Sequence, residues 1–347
     1  MKHIRDRTAL LLRDNRGWVS LTSVLARPGS GEAPKASSTG RSSVPAEPDR
    51  RSARLRPSMR QGFRDPSLGP ALDEAISGDP RALYARITRV SGLPGTRINM
   101  GVVEAFATEC GSRGKQVDPL LRAMVLLDAD QAPGGLAHEI LPVCAVLALG
   151  ERGATDAGGR PVALDLLHAA ADDLRFRVRD MVPVALARIG KRQGDVLVAE
   201  VAPFMDGFFH AAAVLLALSM APWLDATRNA SGVVTRLAEA FDLARNANRA
   251  ASRYPGHKAL MEALVSAPAK IARKYPADVV DEIERWAKVK DPALRDVALG
   301  VAKGLRSRFG EDAARIQGTL DRTAPLPRDP TLIVHGTRGR GKKGRLR

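Results

Sequence analysis

Aromatic side chains are scarce in this chain, 4% of 347 residues, and there are only two cysteines, Cys110 and Cys144. So little Tyr, Phe and Trp argues against sheets built on aromatic pairs. The apolar fraction of 44% is carried instead by Ala, Leu and Val, a composition that suits closely packed helices. Neither cysteine has a partner at ligand spacing, which excludes a disulfide framework and a cysteine-based zinc site. Both read as buried thiols of a reducing compartment, and the expected location is cytoplasmic. Long hydrophobic runs are also missing. A membrane span needs about 18 consecutive apolar residues, and the longest candidate, 211 to 224, is interrupted by Pro222. The opening MKHIRDRTALLLRDNR has an apolar run too short for a secretory core, spoiled by Asp6 and Asp14, while the Arg- and Ser-rich stretch after it leaves an organellar presequence open.

Catalytic motifs are absent as well. TLIVHGTRGRGKKG, residues 331 to 344, places Gly336, Gly341 and Lys342 at the spacing of a phosphate-binding loop. Lys343 stands where that loop needs a Ser or Thr hydroxyl for magnesium, and four residues after it are too few for the helix whose amides would hold phosphate. The six histidines form no His-x-x-x-His and no His/Cys/Asp cluster of metal spacing along the chain. His168 and Asp172 are one helical turn apart and read as a surface pair. The sequence therefore calls for no metal and no cofactor, and nothing in it names an enzyme.

Charge is plentiful and unevenly placed. The net charge is +16, which points toward acidic partners such as nucleic acid. Most of that excess sits in the first 65 residues and after residue 322, leaving the stretch between close to neutral. Residues 28 to 62 combine Pro, Gly, Ser and Arg with almost no large aliphatics, the composition of a disordered region. Three domains follow: a disordered basic region over 1–65, a helical body over 66–322, and a Pro-containing linker with a basic tail over 323–347. The tail residues Arg338, Arg340, Lys342, Lys343, Arg345 and Arg347 are candidates for non-specific contact with nucleic-acid phosphates.

Within the body, VRDMVPVALARIGKRQGD at 178 to 195 aligns without gaps on LRDVALGVAKGLRSRFGE at 294 to 311. Apolar residues recur at offsets 0, 3, 4, 7, 8 and 11 in both, tracing one face of a helix. Arg179 matches Arg295, Asp180 matches Asp296, Arg192 matches Arg308, and Gly194 matches Gly310. The copies begin at residues 178 and 294, which leaves room for three units of roughly 39 residues, near the length of a two-helix repeat. Second helices are expected at 206–224 and 255–275 between the two copies. First helices are expected at 162–171, 196–205, 231–247, 277–289 and 312–320, with shorter helical pieces upstream. Pro142, Pro183, Pro203, Pro222 and Pro268 are expected to end or kink helices.

KDPALRDVAL and DDLRFRVRDMV resemble the HEAT-repeat family over about residues 160–320, with an Asp at the turn and an aliphatic-Arg pair opening the second helix. The resemblance implies an all-α fold, an α-solenoid of stacked HEAT-like pairs with disordered termini. It implies a non-enzymatic scaffold that binds another protein on a curved helical surface. The alternative is a nucleic-acid-binding protein, a repair factor of the alkylpurine glycosylase kind, in which Trp223, Asp225 and Arg228 would face damaged DNA. Core packing is the competing reading of Trp223 and Trp286. Arg179, Asp180, Arg192, Arg295, Asp296 and Arg308 are the candidate interaction residues, or else the ties that join one repeat to the next.

Overall fold

The computed structural model describes residues 65–324, and among these residues there is no strand. The helices are α1 (Leu68–Ile76), α2 (Arg81–Arg89), α3 (Met100–Arg113), α4 (Asp118–Val125), α5 (Ile140–Thr155), α6 (Arg160–Ala171), α7 (Phe176–Gln193), α8 (Asp195–Glu200), α9 (Phe208–Leu218), α10 (Ala221–Leu224), α11 (Ala230–Arg245), α12 (Pro255–Ile271), α13 (Pro276–Ala287), α14 (Pro292–Leu305) and α15 (Gly310–Arg322). The helix starts follow local chemistry. Asn99, Asn229 and Asp291 cap α3, α11 and α14 through side-chain oxygens that accept backbone N–H groups. Proline stands in the first turn of α4, α6, α12, α13 and α14, where its missing N–H has no helical partner to lose.

The helices stack in two layers. In one, α3, α5, α7, α9, α12 and α14 each pack on the next; in the other, α11, α13 and α15 follow in order, and α4 and α6 stand side by side. Each helix of the second layer leans on its partner in the first, as α6 does on α7, α11 on α12 and α13 on α14. This is a helical repeat solenoid. Its core runs the length of the stack between the layers, because one pair alone leaves its apolar stripe in water. In α5 every residue from Ile140 to Gly150 is buried, since α3 and α7 flank it and α4 and α6 cover it. Burying one such Leu or Ile contributes about 1.5–3 kcal/mol.

Both intervening second helices form, beginning at 208 and 255, between those beginning at 176 and 292. The spacing is uneven for two reasons. The 3-10 turn Arg249–Arg253 lengthens the link before α12, and the first helix expected at 196–205 is split into α8 and the 3-10 turn Ala202–Asp206. The helix expected over 206–224 also divides, into α9 and α10. The prolines behave differently from one another. Pro142, Pro203 and Pro222 sit in the first turn of α5, the 202–206 turn and α10, so they start these elements rather than end them. Pro183 and Pro268 lie inside α7 and α12, which continue past them. No helix among the described residues is long and apolar enough to cross a membrane.

Candidate functional site

Helix C-termini leave carbonyls without intrahelical donors, and in this stack cationic side chains from neighbouring elements satisfy them. The Arg175 guanidinium donates to the carbonyls of Leu127 at 2.7 Å, Ala132 at 2.9 Å and Asp128 at 3.2 Å, and pairs with Asp173. Lys274 Nζ donates to the carbonyls of Leu224 at 2.9 Å, Asp225 at 2.8 Å and Thr227. Arg295 donates to the carbonyls of Leu320 at 2.5 Å and Ala287 and Thr323 at 3.2 Å, and to Thr323 Oγ1 at 2.8 Å. Arg179 donates to the Asp173 carbonyl and lies over the Phe209 ring, 4.5 Å from its centroid. Of the sequence candidates, Arg179 and Arg295 are thus ties at the turns. Arg175 and Lys274 do the same work without being legible as part of the duplicated stretch.

The other candidates are dispersed. Arg192 pairs with Glu151 at 3.3 Å, and Arg308 is exposed beside Phe309. Asp180 and Asp296 are exposed and line two separate clefts between first-layer helices, Asp180 with Arg179, Phe209 and Lys258, Asp296 with Met261 and Val265. Desolvation in its cleft pushes the Asp180 carboxyl up, with Arg179 pulling the other way. The tail residues Arg338 to Arg347 lie outside the described residues. Trp223, placed toward DNA in the alternative reading, and Trp286 are both buried. Trp223 donates through Nε1 to the Gly194 carbonyl at 3.1 Å, and Trp286 stacks on Phe241 at 4.5 Å while donating to Glu282 at 2.8 Å.

Two arrangements were not legible along the chain. The first is a groove between α4 and α6. Its floor is Val125, Leu149, Ala163, Leu166 and Ala170, and two clefts of about 420 and 290 Å3 share Leu166 at its middle. Its rims carry Leu126, Val162 and Leu174 at 56%, 54% and 86% exposure, unusual for large aliphatics. Charge is polarised along it. At one end stand Lys115 and Arg122, exposed and without an ion pair among the described residues, while Arg152 is already held by Asp118 at 2.8 Å and Asp156 at 2.9 Å. Exposed Asp128 and Asp172 stand at the other. The 12 residues of α6 set the groove's length at about 18 Å.

The second is a cluster joining α6 to the start of α9. His168 does not pair with Asp172. Its Nε2 lies 3.0 Å from Asp206 Oδ1, which also meets His210 Nδ1 at 2.9 Å, and the two imidazoles stack at 3.7 Å. Asp172 Oδ2 lies 3.3 Å from His210 Nε2 instead. Burial pushes the His210 pKa down, assisted by His168 and opposed by Asp172 and Asp206. Asp206 and His210, four residues apart, were the one sequence signal for this cluster. The two cysteines are buried and free, with burial raising both thiols.

No family model matches the chain, and no curated protein matches it. Among solved structures it is similar to a designed armadillo repeat protein, YIII(Dq)4CqI, with 12% sequence identity, coverage of 69% of this chain and 99% of that one, and a TM-score of 0.29.

Proposed function

We propose that this chain is a non-enzymatic protein-binding scaffold, a HEAT-like repeat array of the reducing cytoplasm, and that its groove between α4 and α6 takes a short polypeptide segment. The observation that carries this reading is the row of exposed Leu126, Val162 and Leu174 around an open apolar floor. Isolated exposed aliphatics need no explanation, whereas three of them lining one groove remove apolar surface from water only when a partner covers them. The polarised ends fix the partner's chemistry. A segment with an aliphatic centre, an acidic residue to meet Lys115 and Arg122, and a basic residue to meet Asp128 and Asp172 is complementary in shape and sign. A preformed groove avoids the cost of ordering its own side, which favours binding of a flexible segment.

Selection of displayed 12-residue peptides on the immobilised full chain tests this. Enrichment of acidic, aliphatic and basic residues in that order, in either chain direction, is the expected outcome. Enrichment of purely basic or purely acidic peptides, or the absence of any consensus, contradicts the reading.

A further inference from the structure

The cluster of His168, Asp206 and His210 has a defect that hydrogen bonding among its own members does not repair. His210 is buried, and its two nitrogens both face carboxylates: Nδ1 meets Asp206 Oδ1 at 2.9 Å, and Nε2 has Asp172 Oδ2 at 3.3 Å. A neutral imidazole carries one proton. If Nδ1 donates to Asp206, the bare lone pair on Nε2 is turned toward a second carboxylate, and Nε2 is a buried atom without a hydrogen-bond partner. A doubly protonated ring would satisfy both sides, but it would bury a cation against the stacked His168 ring. A cation on the Nδ1 side removes the conflict, because Nε2 then keeps the proton and donates it to Asp172. Metal-bound histidines ordinarily hold their second nitrogen against a carboxylate in this way.

We propose that His168 Nε2, His210 Nδ1 and an Asp206 carboxylate oxygen form a site for a divalent transition-metal cation of the zinc class, with Asp172 as the outer carboxylate that orients His210. Two imidazoles and a carboxylate are a donor set that suits such a cation. The donor atoms of the three residues lie within 4.8 Å of one another. Tetrahedral zinc at its usual bond lengths of roughly 2.0–2.2 Å places donors about 3.3 Å apart, and the N–O separations here are 2.9 and 3.0 Å. Admitting the ion takes small outward movements of these donors and a turn of the two imidazoles out of their stacked arrangement, 26° between planes, so that both in-plane lone pairs converge on it. The exposed Asp206 and half-buried His168 open the site to solvent, which supplies both an entry path and a water for the fourth position. Phe204 closes the opposite side, its ring edge-on to both imidazoles. Gly207 is part of the construction. A Cβ there would lie 2.4 Å from His210 Nδ1, so any side chain would occupy the space beside the ligand atom.

The three ligands come from two repeats, His168 from α6 and Asp206 and His210 from the unit that follows, so the ion would staple one repeat to the next. Binding to the folded state alone would then raise the melting temperature. The experiment is equilibrium dialysis of the untagged full chain against Zn2+ or Mg2+, with metal analysis and thermal melts, repeated for His168→Ala, Asp206→Asn and Asp172→Asn. Expected are binding of Zn2+ in preference to Mg2+, a rise in melting temperature with Zn2+, loss of both effects in the His168 and Asp206 variants, and roughly tenfold or greater weakening in Asp172→Asn. Co2+ on the unaltered chain gives a readout that needs no variant to fold, namely the visible bands of a tetrahedral nitrogen and oxygen site. Absence of Zn2+ binding, absence of those bands, or Zn2+ binding unchanged in folded His168→Ala and Asp206→Asn overturns the proposal.

Discussion

Helices α7 and α14 are built on the same stretch of sequence, and their surroundings have taken them in different directions. Helix α7 is flanked on both sides by helices of its own layer, α5 and α9, and covered by α6 and the short α10, whereas α14 packs on α12, α13 and α15. The apolar stripe is retained in both. What surrounds it diverges. Gly190 of α7 lies under Trp223, where a Cβ would come within 2.1 Å of the indole; the aligned residue is Arg306, just past the end of α14 and exposed to solvent. Gly194 holds φ at +55 against the Ala226 carbonyl, while the aligned Gly310 has open space around its Cα. Arg179 makes one carbonyl contact and an aromatic one, and Arg295 gathers a whole set of carbonyls from α13 and α15. A repeat thus preserves the stripe that forms the continuous core, and each neighbour dictates the rest.

The largest effect should come from the position where the copies differ most. Gly190→Ala drives a methyl group into the Trp223 ring and is expected to cost about 3 kcal/mol or more, whereas Arg306→Ala should stay within about 0.5 kcal/mol. Urea unfolding of the two variants measures both, and equal losses would break the contrast. Next is Arg295→Ala, which strands several carbonyls and is expected to cost about 2–3 kcal/mol, against about 1 kcal/mol for Arg179→Ala. Arg295→Lys should rescue only part of the loss, because an ammonium lacks the planar fork that reaches two turns at once.

A smaller effect concerns pH. His210 has a folded pKa below its unfolded value, so between the two the unfolded chain binds the proton that the folded chain resists. Stability should be unaffected by His210 above about pH 6.5 and fall as the pH drops from there toward the lowered folded value. His168, Asp172 and Asp206 face the ring and set how steep that fall is. Melts from pH 8 to pH 5 in the presence of a chelator check it, and a stability that rises on acidification through this window would contradict it.

The stack was legible because burial along each helix follows the periodicity that the sequence displays. The duplicated stretch marks α7 and α14, and the distance between them placed two further pairs that both form. The split of the 206–224 helix was not legible, since Ser219 and Met220 carry no strong breaking signal and Pro222 begins α10 instead of ending α9. Arg179 and Arg295 were visible as repeated residues, yet their role at the turns depends on carbonyls up to 28 residues away. The groove and the histidine cluster were harder still. Leu126 and Leu174, or His168 and His210, are separated by more than forty residues, and only the stacking of α4, α6 and α9 brings them together. Val162 reads as an ordinary apolar position of the helix expected at 162–171 and Leu174 as part of the turn that follows it, and their exposure reflects how little α4 and α6 cover each other.

The most direct measurement of the central claim is the affinity of a selected peptide for the full chain and for three folded variants: Val162→Asp and Leu174→Asp in the groove, and Met261→Asp in the cleft between α12 and α14. Binding at least tenfold weaker is expected for each groove variant, on the order of 1.4 kcal/mol or more, with unchanged binding for Met261→Asp. Unchanged affinity in both groove variants, or a loss confined to Met261→Asp, would place the partner elsewhere on the stack and contradict it.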